Sequence, residues 1–161
     1  MLYPQALARM FAYSFNWLNA NRVGLTDEEA FQFPIRGGNN LNWLLGHIVS
    51  SRSRVLEILR QQPVWDEVQR APYRSGSQPV SGLQSGVLPI EAIWNAYDLS
   101  QQRIAKGFQQ ITFEELAHPS GFAENTYGDS LAYFHFHETF HMGEISALLQ
   151  ALGRQPDWIF S

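Results

Sequence analysis

The chain contains no cysteine. That excludes a disulfide framework, a thiolate metal site and a cysteine nucleophile. It agrees with a reducing compartment. Charge is scarce too: Asp, Glu, Lys and Arg make up only 16% of the residues, with a formal net charge of -4. The few cations form no cluster, which argues against nucleic acid or an anionic membrane as partner. No apolar run reaches the roughly 18 residues of a membrane span. The start does not read as a signal peptide, so a cytoplasmic protein with a small-molecule substrate is the expectation. A phosphate-cradling glycine loop is missing; Gly37-Gly38 before a helix is a weak signal. No Ser-His-Asp order stands out by spacing.

Apolar residues are plentiful at 45%, and aromatics reach 14%. That is enough for a core, and the aromatic surplus suits either a wide core or a subunit interface. At 161 residues the expectation is one domain over 1–161.

Periodicity at three and four predicts four long helices. The first covers Pro4 to Asn19, with Leu7, Met10, Phe11, Ser14, Phe15 and Leu18 on its stripe. Thr26 to Glu29 reads as a capping box opening a short turn. The second helix starts after an Asn39 or Asn40 cap and runs to about Gln61. His47 adjoins its stripe, while Arg52, Arg54 and Arg60 are expected mostly on the wet side. Residues Pro63 to Leu88 break every periodic pattern with proline, glycine and serine. So long a loop must be a crossover or a lid. Pro89 opens the third helix, with Ile93, Tyr97, Ile104, Phe108 and Ile111 inward and Gln101 on the same face. Thr112 to Glu115 resembles another capping box. The fourth helix covers about Gly128 to Leu152 and ends at Gly153. The tail through Phe160 is apolar enough to pack back on the body. The fold class is all-α.

Three of the five histidines lie in Tyr133–Gly143. His137 and His141 are four apart and share a helix face, about 5–6 Å apart at Cβ. That suits two imidazoles reaching one ion. His135 lies well around the helix and is a poor partner. His47, pointing inward or to the edge of the second helix's stripe, is the best third ligand. Facing helices of a bundle build such sites, and neutral imidazole suits Zn, Ni, Fe or Co. Three histidines leave positions open for water or substrate. A blander reading makes each histidine a hydrogen-bonded core residue. His137-Glu-Thr-Phe-His141 also matches the zincin pattern, with Glu138 as base. However, no later histidine and no edge strand support a protease. Glu138 is then either a group near the site or a surface residue.

The segments Asn42-Trp-Leu-Leu-Gly-His-Ile48 and His137-x-x-x-His141-x-Gly143-Glu-Ile145, followed by Leu152-Gly153, resemble the DinB/YfiT superfamily. The likeness covers nearly the whole chain. It implies a four-helix bundle in up-down-down-up order, with the long crossover between helices 2 and 3, usually dimeric. It also implies a divalent ion, nickel or zinc foremost with manganese also open, held by His47, His137 and His141. Some related members use a low-molecular-weight thiol, as in mycothiol-dependent maleylpyruvate isomerase and bacillithiol transferase. Here Glu144 stands where a glutamine is common, either at the surface or as an acceptor for a ligand. Three functions follow as expectations. The first is a metal-dependent transferase or isomerase acting on a small thiol adduct. The others are a metal-dependent hydrolase of a small amide or ester, and a non-catalytic metal-binding module. A polar pocket group such as Gln101 would favour either enzyme. A cationic rim from Arg36, Arg74 or Arg103 would favour thiol transfer.

Overall fold

Proline opens the first helix where its missing N–H costs nothing. In the computed structural model, which describes residues 3–34, 37–78, 80–122 and 125–157, α1 spans Pro4–Asn21. It buries Leu7, Phe11, Ser14, Trp17 and Leu18. The short α2, Asp27–Ala30, is nucleated by the Thr26–Glu29 capping box. Helix α3 is Leu41–Ile58, capped by Asn40, whose Oδ1 accepts from the Trp43 N–H at 3.0 Å. A short α4, Glu67–Arg70, runs into a 3-10 turn at Ala71–Tyr73. Then come α5, Ile90–Gln110, and α6, Tyr127–Ala151. Thr126 and Asp129 form the capping box of α6, and Gly153, at φ 76°, ends it in the left-handed region. Among the described residues there is no strand, only an isolated bridge between Pro119 and Thr126. The zincin reading therefore lacks its edge strand.

Helix α3 packs against α5 and α6, and α1 packs against the same two. The approach of α3 to α5 is close: a Cβ on Gly107 would lie 2.6 Å from Leu59 Cβ. The apolar interior falls into two clusters. One gathers Trp17, Leu18, Leu41, Trp43, Leu44, Leu45, Val49, Tyr97 and Ile145. The other gathers Leu7, Phe11, Val55, Leu56, Ile104, Phe108 and Leu131. Each fully buried aliphatic or aromatic side chain contributes about 1.5–3 kcal/mol. Between the clusters lie buried Ser14, Arg52, Ser100 and Glu138.

Arg52 overturns an expectation. It is 1% exposed rather than on the wet side, because Glu138 neutralises it across the helix interface. Arg54 and Arg60 do face solvent. The crossover also differs from a structureless loop. It contains α4 and buries Trp65, Tyr73, Val80 and Val87. Arg36, Pro79 and the tail beyond Asp157 lie outside the described residues. No helix among those described is long and apolar enough to cross a membrane.

Candidate metal centre

The site is built on the middles of two long helices. His47 comes from α3, His137 and His141 from α6. Their ligand atoms all lie within 4.8 Å of one another. Both His47 Nε2 and His141 Nε2 are 3.2 Å from His137 Nε2. His47 and His141 are 7% and 9% exposed, and His137 is partly buried.

The outer nitrogens decide the tautomers. His47 Nδ1 lies 2.6 Å from the Tyr73 carbonyl oxygen, which can only accept, so Nδ1 carries the proton. His141 Nδ1 lies 2.6 Å from Glu144 Oε2, a carboxylate, so it too donates. Neutral rings held this way turn bare Nε2 lone pairs inward. His137 can bring at most one proton to its own Nε2. At least one of the two 3.2 Å contacts therefore sets lone pair against lone pair. A cation between the rings relieves this. A proton is a poor one, because burial, then the charges of His141 and His47, push the His137 pKa down to about 4. Burial likewise lowers that of His47, against the pull of the Tyr73 carbonyl. Two nitrogens on a tetrahedral ion at about 2.0–2.1 Å would sit about 3.3–3.4 Å apart. The two 3.2 Å spacings fit a metal, and the third pair lies within 4.8 Å.

The rings are fixed by aromatic neighbours. Trp43 stacks on His47 with centroids 4.6 Å apart and planes 9° from parallel. Its Nε1 donates to Ser77 Oγ in the crossover at 2.8 Å. Phe140 stands edge-on to His141 at 5.4 Å. Gly46 makes the Tyr73 contact possible: a Cβ there would lie 2.2 Å from the Tyr73 ring. The Tyr73 hydroxyl donates to Asn42 Oδ1 and accepts from the Leu88 N–H. The crossover is thus fastened to α3 beside the site, and its carbonyl orients a candidate ligand.

A family model for the DinB superfamily matches residues 19–145, which include all three histidines. The chain belongs to the DinB superfamily. No curated protein matches it. In this DinB superfamily member the structure brings together the three histidines that the sequence singled out. His135 stays apart: its Nε2 lies 3.0 Å from the Met10 carbonyl and 3.1 Å from Ser14 Oγ, against α1. Glu138 faces neither the triad nor solvent; it pairs with Arg52. Gln101 lines a groove between α1 and α5 with Phe15, Arg22 and Asp98, on helices that carry none of the triad. Arg74 is paired with Glu67, and Arg103 holds the carbonyls of Gln62 and Pro63. Tyr73 and Trp43 were not singled out by sequence reasoning. The signal available was Gly46 beside His47, a space that an aromatic from elsewhere could fill.

Proposed function

We propose that this DinB superfamily member holds one divalent ion through the Nε2 atoms of His47, His137 and His141, nickel or zinc foremost. We propose further that it is a transferase or isomerase acting on a small thiol adduct. The observation that carries the metal reading is the convergence of the three Nε2 atoms, two of them turned inward by anchored Nδ1 protons. Among the described residues no fourth His, Cys, Asp or Glu joins the set. A structural zinc site would close with four, so the donor set supports an enzyme over a holding module. When bound, the ion supplies Lewis-acid chemistry and favours thiolate over thiol. The chain's own part is to hold the rings, through Tyr73, Trp43 and Glu144, and to shield them from water. The cleft of about 440 Å³ along α3 and α6, lined by Arg54, Ile58, Ser130 and Phe134 among others, includes none of the three histidines and carries no part of this reading.

One observation favours a second reading, hydrolysis of a small amide or ester. Arg74 and Arg103, which would have made a cationic rim for an acidic thiol, are already engaged.

For the architecture we propose a single domain and a four-helix bundle in up-down-down-up order. Antiparallel contacts support it: Phe11 meets Phe108 while Phe15 meets Tyr97. So does the parallel pairing of α3 with α5, where Asn42 meets Leu88 and Arg52 meets Ser100. A homodimer is supported by exposed Tyr133, Phe136 and Phe140 on α6. Sedimentation at tens of micromolar tests it.

Elemental analysis of the purified protein, followed by turnover assays on thiol adducts and on small amides and esters, tests the function. One nickel or zinc per chain with thiol-dependent turnover is the expected result. Metal-independent turnover, or a chain that takes up no divalent ion, would overturn it.

A further inference from the structure

Arg52 and Glu138 are the most deeply buried charges described, 1% and 3% exposed. Arg52 Nε donates to Glu138 Oε2 at 2.9 Å, and one terminal nitrogen donates to Oε1 at 2.7 Å. That nitrogen also donates to the Tyr97 hydroxyl at 3.0 Å, and the other donates to Ser100 Oγ at 3.0 Å. The Tyr97 hydroxyl in turn donates to Glu138 Oε1 at 3.1 Å, and its ring lies 3.9 Å from the guanidinium carbon. Every polar group in the cluster is satisfied in this one arrangement.

Stability does not account for the pair. Replacing a buried ion pair by apolar residues of like volume is often neutral or stabilising. What the pair can supply is choice of arrangement, and α6 needs one. Its apolar residues do not mark a single face. Leu131, Phe134 and Ile145 pack inward, while Tyr133, Phe136 and Phe140 are 46%, 66% and 59% exposed. A slip by one residue turns the helix about 100° and moves it about 1.5 Å. Rings would still face the core, but Glu138 would leave Arg52 and both charges would be stranded. Glu138 sits between His137 and His141, and Arg52 follows His47 by five residues on α3. The arrangement that satisfies the ions is therefore the one that converges the imidazoles.

We propose that the Arg52–Glu138 pair is a positioning device for the histidine triad, selecting the rotation and register of α6 on α3 that bring His137 and His141 to His47. The inference rests on the metal reading above. Ligands serve only when held within about 0.5 Å of their working geometry, so a small loss of register is enough to matter.

The test uses Co²⁺ as probe, titrated into the metal-free full chain, with affinity and visible ligand-field spectrum as readouts and thermal midpoint alongside. The triple variant Arg52→Met, Tyr97→Phe, Glu138→Leu removes the cluster with all its polar demands. Its midpoint is expected to equal or exceed the wild type, while Co²⁺ binds at least tenfold more weakly with an altered spectrum. Arg52→Lys, which keeps the charge but not the fork, covers the case in which the triple variant fails to fold; it is expected to weaken Co²⁺ severalfold. Wild-type affinity and spectrum in whichever variants fold would overturn this inference alone. A wild type that binds no Co²⁺ would overturn the metal reading and this inference with it.

Discussion

The Arg52–Glu138 cluster and the histidine triad bridge the same two helices, and their internal bookkeeping is opposite. In the first, opposite charges meet and each of the three guanidinium nitrogens has an acceptor. In the second, three like groups converge, two of them turning acceptors inward, and at most one proton lies between them. The guanidinium–carboxylate pair is complete within the protein. The triad is chemically incomplete until a cation enters. A buried polar cluster is a functional site where its groups fail to satisfy each other, and burial alone does not distinguish the two.

The contrast breaks most visibly when one ion is stranded. Glu138→Ala leaves Arg52 buried without its partner and should cost about 3–5 kcal/mol, read by denaturant unfolding; a loss under about 1 kcal/mol would mean water reaches Arg52. By contrast, His141→Ala should leave the metal-free fold nearly as stable. Its metal affinity should fall beyond the roughly 10–100-fold expected for loss of an outer partner. His135→Ala should retain full metal content, and elemental analysis of both variants decides whether the right face of α6 has been chosen. Gly46→Ala drives a methyl into the Tyr73 ring. It should cost about 1–3 kcal/mol as overpacking and weaken metal binding by freeing His47 Nδ1; unchanged binding would make the crossover a bystander. Glu144→Gln keeps an acceptor for His141 but removes the charge. An affinity loss of about tenfold or less is expected, measured by chelator competition.

A further effect is in pH. Burial lowers the pKa of His47 and brings His137 to about 4. These rings stay neutral below the ordinary histidine value of about 6.5. Protons should therefore displace the ion at lower pH than they would from free imidazoles. In the metal-free chain the unfolded state binds protons that the folded state refuses. The contribution of these two histidines to stability should be lost as pH drops from about 6.5 toward 4. Thermal midpoints across that window check the sign.

Much of this was legible before any coordinates. The four long helices came from apolar spacing, with ends within a few residues, because Pro4, Asn40 and Gly153 mark boundaries by local chemistry. The triad came from the four-residue spacing of His137 and His141 and the inward place of His47. Arg52 was not legible: by hydropathy a guanidinium belongs in water, and what buries it is a carboxylate 86 residues away. The order within the crossover was half legible. Asp66 and Gln69 form a capping box, a local signal. The seating of Tyr73 on Gly46 is a tertiary fit that no local pattern encodes.

The polar layer between the two apolar clusters bears on how the molecule breathes. Helices run through both clusters, yet each cluster buries its own side chains, so each has the makings of a separate cooperative unit for amide exchange. His47 is flanked on α3 by Leu45, Ile48 and Val49 of the first cluster, and His141 on α6 lies four residues before its Ile145. An ion joining His47 to His137 would close a span of 90 residues and restrict the opening of that half. The half around Leu7, Phe11, Leu59 and Phe108 would gain little. Metal-linked stiffening would then be lopsided, confined to the end of the molecule where the crossover is fastened.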